Sequence, residues 1–372
     1  MSIYEKRRNA IYDWMAEEGI ALVMIEDFER HRDAALRWLT GQPGDALLFL
    51  SIDKKSLLVP WDQNLAMLFA QVDMIVPYTN FDRKKINALA GALDLLKTNA
   101  GSRIEIPAVT SYPDFLDFIE AMPDYDIICR KNGIVPLLQK LRAVKDEEEI
   151  KIYRKIGALT CEITDMIENQ VRKGKIKTEI DAALFIDTEC RKRGCEGTGF
   201  QTIAAGPERS FGIHAFPSYT AGNFIGDGFS ILDYGIKYAG YTGDVTLTFT
   251  SGTLTKQQEK IISLVEKAYQ TAVLMCHPGI PARDIAQTID SIFERSKKIM
   301  SHGLGHGIGL EAHEYPVINS WKENNWILEP GMIFTIEPGF YDPLYGGCRL
   351  ENDVLILKQG HEILTNSRII RL

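Results

Sequence analysis

No run of about 18 apolar residues occurs in this sequence, so no segment is long and apolar enough to span a bilayer as a helix, and no membrane partner is expected. An unbroken apolar leader is also missing. The first twenty residues mix Glu5, Lys6, Arg7, Arg8, Asp13, Glu17 and Glu18 with their apolar positions, which argues against a secretory signal and for a cytoplasmic protein. Positive charge is in deficit: 42 Lys and Arg against 50 Asp and Glu leave a net charge of −8, the wrong sign for neutralising phosphates, so nucleic acid is excluded as a partner. The six cysteines, Cys129, Cys161, Cys190, Cys195, Cys276 and Cys348, include no C-x-x-C pair and are expected to be reduced thiols. Histidine is scarce as well, with seven in the chain. Any clustering of it therefore carries information.

At 372 residues the chain exceeds one ordinary hydrophobic core, and two domains are expected. Residues 1–130 alternate short apolar runs (Ile20–Ile25, Ala46–Ile52, Ser56–Val59, Met74–Tyr78, Arg103–Ile106) with helix-like stretches at Ile3–Glu18, Asn64–Gln71, Lys84–Lys97 and Tyr112–Met122, the pattern of an α/β domain. A boundary is expected near Lys131-Asn132-Gly133, with a second domain over residues 135–372. There Asp146-Glu147-Glu148-Glu149 opens a long helix with acids in its first turn, and Ile152, Ile156, Leu159, Ile163 and Met166 mark its buried face. A second helix at Thr178–Arg193 leads through a Gly-rich stretch to a β-rich segment, Phe229–Thr250. The order repeats. Helices at Lys256–Cys276 and Arg283–Ile299 precede a Gly-rich connection and the β-rich Met332–Leu357. From Asp146 to Asp233 the chain advances 87 residues (233 − 146), and from Lys256 to Glu337 it advances 81 (337 − 256). Two related halves facing each other would bring Asp233, Asp244, Glu337 and Glu351 together.

Each of these acids except Glu351, where the signal is weaker, lies in an apolar β-prone run: Ile231-Leu232-Asp233-Tyr234, Gly243-Asp244-Val245-Thr246 and Phe334-Thr335-Ile336-Glu337. An unpaired carboxylate buried there costs several kcal/mol, so a compensating positive charge is required. Arg349 is the one arginine within either β-rich stretch, and divalent metals answer the need more economically. The imidazole such a site would use is offered by Ser301–His313, a Gly-rich run holding three of the seven histidines, His302, His306 and His313. Its alternating glycines disfavour a helix and favour a strand or tight loop with close backbone approach. The run contains neither a dinucleotide-binding loop nor a P-loop.

The Asp233/Asp244 segment, the His306 run, Phe334-Thr335-Ile336-Glu337-Pro338-Gly339 and Arg349-Leu350-Glu351 together resemble the five-ligand signature of the pita-bread metallopeptidases, over about residues 135–372. The preceding α/β domain, with Leu36-Arg37-Trp38-Leu39-Thr40-Gly41, is similar to that of the prolidase and aminopeptidase P branch, which shares its architecture with creatinase. The resemblance implies an α+β chain: a C-terminal pita-bread catalytic domain after a smaller creatinase-like N-terminal domain. It also implies two divalent metal ions (Mn ahead of Co or Zn), with Asp233 on one, Asp244 and Glu351 bridging both, and His306 and Glu337 on the second. Glu337 would be the general base. His214 and His313 would contact the substrate, His302 would be a further active-site histidine, and Arg349 would orient the ligands. The implied reaction is hydrolysis of the bond before proline in a short peptide with proline at its second position, by a dipeptidase or an aminopeptidase. Relatives of this architecture commonly pair, so a homodimer is expected.

Two departures bear on specificity. Relatives often carry an acid directly after the bridging glutamate, where this chain has Asn352 and then Asp353. Between His313 and Glu337 there is no arginine of the kind that clamps a dipeptide carboxylate in some prolidases, and Lys322 is the one cation in that stretch. Two other outcomes fit the same fold: a hydrolase or lyase of a small non-peptide substrate, and a binding member without catalysis. Metal-free relatives lack the ligand set that is complete here.

Overall fold

The computed structural model describes residues 2–29 and 31–372, and the chain divides into two compact units, Met1–Leu141 and Arg142–Leu372. The division falls inside a helix, Ile134–Ala143, which the sequence pattern did not announce. Among the described residues no helix is long and apolar enough to cross a membrane.

The first unit is built on a six-stranded mixed sheet in the order Met74–Ile75, Lys55–Pro60, Ala46–Ser51, Leu22–Asp27, Arg103–Glu105, Asp126–Ile128. Every residue of Leu22–Asp27 and Ala46–Ser51 is buried, as expected of central strands covered on both faces. Helices Ile3–Glu18, Lys85–Leu95 and Tyr112–Ala121 fall within two residues of the expected ones. The strand expected over Met74–Tyr78 ends at Ile75 instead, and a 3₁₀ turn follows at Tyr78–Phe81. Pro77 has no N–H to continue the ladder.

The second unit pairs two helices with strands, twice. Glu147–Arg172 and Glu179–Lys192 precede the first set; Lys256–Leu274 and Ala282–Arg295 precede the second. Asp146 with Glu149, Thr178 with Asp181, and Thr255 with Gln258 close capping boxes that fix where three of these helices begin. Most of the strands form one large sheet, and the short hairpins lie in two small sheets of their own. The path of the large sheet runs Glu314–Ile318, Gly305–Gly307, Ile333–Ile336, Glu351–Ile356, Val245–Ser251, Gly228–Tyr234, Ile203–Ala205. The two halves meet where Val245–Ser251 pairs antiparallel with Glu351–Ile356. In each half a short hairpin is inserted between the two long strands: Ile236–Tyr238 with Tyr241–Thr242 in the first, and Gly339–Asp342 with Gly346–Arg349 in the second. Chain reversals at those hairpins set the acids at the strand ends nearest the junction.

Candidate metal centre

All nine residues singled out from the sequence line one cavity of ≈ 390 Å³. Sheet register explains the convergence. Thr246 faces Asp233 across one ladder and Glu351 across the other, so the three side chains share one face. Asp244, two residues before Thr246, keeps to that face. Glu337 lies one step beyond the Ile336–Asn352 pair, beside Glu351. His306 enters from the neighbouring strand, its backbone N–H donating to Thr335 Oγ1 at 3.1 Å. Cavity size alone does not select this site. A larger cavity of ≈ 590 Å³ lies along helices Lys256–Leu274 and Ala282–Arg295, and the one acid in its lining, Glu259, is paired with Arg371.

Asp244, His306 and Glu351 each present a ligand atom, all within 4.8 Å of one another. His306 Nε2 is 3.5 Å from Glu337 Oε1 and 3.8 Å from Asp244 Oδ2. The Nδ1 of His306 lies 3.1 Å from the Gly307 carbonyl, which can only accept. Nδ1 therefore carries the proton, and the Nε2 lone pair faces the carboxylates, the tautomer a metal ligand needs. Asp233 stands at the edge of the group, its Oδ2 accepting from Arg349 Nη2 at 2.6 Å.

Burial and mutual repulsion push the carboxyls of Asp244 and Glu351 well above the ordinary range, and burial raises Glu337. Burial lowers His302 and His306, and takes His313 down to about 4. Oδ1 of Asp233 and Oδ1 of Asp244 are buried and accept no hydrogen bond among the described residues. Buried acceptors without donors, four carboxylates together and a correctly turned imidazole form a donor set suited to hard divalent cations.

Arg349, 2 % exposed, holds the wall of the site. Its Nε donates to Thr246 Oγ1 at 2.8 Å, and Nη1 donates to the Ile213 carbonyl at 3.1 Å and to Tyr341 Oη at 2.7 Å. Thr246 Oγ1 in turn donates to Glu351 Oε2 at 2.5 Å, so one guanidinium orients Asp233 directly and Glu351 through a hydroxyl. His302 Nδ1 sits 2.8 Å from the Gly303 carbonyl and must donate to it, so Nε2 accepts from the Tyr341 hydroxyl at 3.0 Å. The result is a chain of bonds from Arg349 through Tyr341 to His302. The ring of His313 lies 4.3 Å from that of His306, and His214 completes the imidazole side of the cavity.

Sequence reasoning missed Tyr341 and Thr246. The available signal was parity: Tyr341 shares a strand face with Gly339, which pairs with Arg349. A Cβ on Gly339 would come within 2.5 Å of Tyr341 Oη and 3.0 Å of His302 Nε2, so a larger residue there would push Tyr341 and His302 from their present positions. Replacing Tyr341 with Phe should lower kcat about 10- to 100-fold while leaving the unfolding midpoint nearly unchanged, because a partner that orients site residues is lost rather than a residue in the bonded group itself. Gly305→Ala should act differently. The added Cβ would collide with the Thr335 carbonyl oxygen, backbone against backbone. Urea unfolding should record a loss of about 1–3 kcal/mol, together with weaker metal binding as His306 is displaced.

Residues 151–358 match the metallopeptidase family M24. The Xaa-Pro dipeptidase of Pyrococcus horikoshii is 27% identical over 378 residues, an alignment covering 99% of each chain. A Bacillus subtilis (strain 168) protein provisionally named a dipeptidase is 34% identical over 230 residues; the match covers 61% of this chain and 62% of that one, less than two thirds of its length. The crystal structure of recombinant prolidase from Thermococcus sibiricus superposes with a TM-score of 0.82 at 26% identity, with both chains covered in full. The pita-bread fold, with its mixed helix and sheet content, is common to this chain and that structure.

Proposed function

This chain belongs to metallopeptidase family M24, and from that premise we propose that it hydrolyses the peptide bond preceding proline at the second position of short peptides. The observation that carries the reading is the single cavity that gathers Asp233, Asp244, His306, Glu337 and Glu351 beside His214, His302 and His313. End-to-end likeness to a Xaa-Pro dipeptidase supports the choice of bond. The five ligands would hold two divalent ions, with Asp244 and Glu351 shared between them, residues 135–372 forming the catalytic domain. Bound there, the ions lower the pKa of water and polarise the scissile carbonyl.

Glu337 is the residue for proton transfer. Its carboxylate touches Thr335 Oγ1 only at 3.4 Å and lies 3.8 Å from His302 Nδ1, so it is not saturated by strong donors. It would take a proton from the attacking water and deliver it to the prolyl nitrogen as the C–N bond breaks, while the hydroxyl remains on the acyl carbon. His214 and His313, as neutral N–H donors, would steady the carbonyl oxygen as it gains charge. Arg349 would keep Asp233 and Glu351 in position throughout. Manganese as the native ion, the cytoplasm as the compartment and a homodimer as the working state complete the reading. Exposed Met67 and Leu68 give the first unit an apolar face of the kind a second copy covers.

Manganese-loaded protein should cleave at least one of Ala-Pro, Gly-Pro and Ala-Pro-Ala and leave Ala-Ala untouched. Absence of turnover on every proline substrate defeats the proposal. Gel filtration should give about twice 41.9 kDa, and elution as a monomer of that mass contradicts the dimer.

A further inference from the structure

The charge of the catalytic cavity bears on the far end of the substrate. Proline's own carboxyl group sits immediately beyond the Cα that follows the scissile nitrogen. In a dipeptide it is a free carboxylate, placed close to the reacting bond; in a longer peptide it is an uncharged amide. The lining of the cavity contains four carboxylates and one permanently cationic side chain, Arg349. Four carboxylates match the charge of two divalent ions, so Arg349 is the one group left to meet a further anion.

Arg349 is already committed. Four of its five N–H donors are engaged, by Thr246, the Ile213 carbonyl, Tyr341 and Asp233. Its side chain is 2 % exposed, with Asp233 Oδ2 accepting from it at 2.6 Å, so little of the guanidinium is open to a substrate carboxylate. Lys322, the cation that the sequence offers in this region, lies outside the lining of the cavity.

A second cavity of ≈ 390 Å³ adjoins the first and shares His302 and Gly303 with it. Its one carboxylate or permanently cationic side chain is Asp290, again an acid. Asn319, Ser320 and Trp321 form the opposite wall. Asn319 Oδ1 accepts from the Trp321 N–H at 3.3 Å and from Asn324 Nδ2 at 3.1 Å, which leaves its Nδ2 as the polar atom for the cavity. Neutral amide and hydroxyl groups beside an exposed indole suit the uncharged backbone of a continuing peptide. A carboxylate placed there would be desolvated next to an acid, without a counter-charge.

We infer that this chain prefers Xaa-Pro bonds followed by further residues, acting as an aminopeptidase rather than as a dipeptidase, with the second cavity receiving the residues C-terminal to proline; this rests on the Xaa-Pro reading above. The test compares kcat/KM of the manganese-loaded protein on Ala-Pro, Ala-Pro-NH2 and Ala-Pro-Ala, with calorimetric binding of the products proline and prolinamide as a second readout. Expected are values about tenfold or more higher for the amide and the tripeptide, and tighter binding of prolinamide than of proline. Ser320→Arg, which adds a cation to the second cavity, should narrow the gap in kcat/KM between Ala-Pro and Ala-Pro-NH2 by lowering KM for Ala-Pro relative to that for the amide. Cleavage of Ala-Pro at least as fast as of Ala-Pro-NH2 overturns the inference and leaves the Xaa-Pro activity standing. Cleavage of none of the three removes the activity itself, and the inference with it.

Discussion

Asp244→Asn should lose bound metal and cut kcat/KM about a thousandfold or more. Removing a carboxylate from the proposed metal centre should cost several kcal/mol of charge stabilisation in the transition state, and about 4 kcal/mol lost at 1.36 kcal/mol per decade is a factor of about 10³. The same substitution should not unfold the protein. In the metal-free chain the Asp244 carboxyl is buried among Asp233, Glu337 and Glu351, and its Oδ1 accepts no hydrogen bond among the described residues. A neutral amide of nearly the same shape relieves that repulsion, so metal-free Asp244→Asn should melt at or above the temperature of the metal-free parent. Metal should then reverse the order. Saturating ions raise the parent's stability by about 2.7 kcal/mol at 100 times Kd, a gain the variant largely forgoes. Thermal melts with and without manganese, alongside the kinetics, separate loss of the site from loss of the fold.

Arg349→Met should have the largest effect on stability. Methionine keeps part of the apolar stem but withdraws the guanidinium from Asp233 at 2.6 Å, and takes donors away from Thr246, Tyr341 and the Ile213 carbonyl. Removing one partner of a buried ion pair leaves the other charge uncompensated, at a cost of about 3–5 kcal/mol. Arg349→Lys should recover little, since one ammonium cannot replace a planar fork that reaches four acceptors. Urea midpoints of the metal-free proteins measure this directly. A midpoint for Arg349→Met equal to the parent's would mean that Arg349 does not hold the wall of the site.

The acids of the site were legible because each interrupts an apolar β-prone run, where a carboxylate is costly without a counter-charge. The first long helix of the second unit was legible from the three- and four-residue spacing of Ile152, Ile156, Leu159, Ile163 and Met166 and from the acids in its first turn. What escaped notice was short or uniformly buried. Ala34–Thr40 has seven residues, most of them buried, and so presents no polar face for a period to reveal. Ile134–Ala143 begins just after the Lys131-Asn132-Gly133 segment that reads as a linker. The hairpins that interrupt the two long strand pairs have strands of two to four residues, too short for alternation to register. Tyr341 lies on one of them, which is why its place between Arg349 and His302 required the structure.

The division of labour among the five ligands came from the resemblance to known metallopeptidases, not from their spacing. Proline preference was illegible for a different reason. The apolar side of the cavity is made by Phe200, Ile203 and Ile213, which are remote in sequence from Glu337 and Glu351 and are ordinary residues wherever they occur. Nothing in the identity of an isoleucine announces that it lines a cavity. The carboxylate argument for longer substrates likewise needed the hydrogen bonds of Arg349, since an uncommitted arginine in the same sequence would have pointed to dipeptides.

The central claim is that Asp233, Asp244, His306, Glu337 and Glu351 hold two divalent ions. The direct test is to load the chelator-stripped protein with manganese, remove the excess and determine the metal content per chain, with Asp244→Asn treated in parallel. The account predicts two ions per chain in the parent and at most one in the variant; a parent that retains none, or a variant that retains as many as the parent, would contradict it.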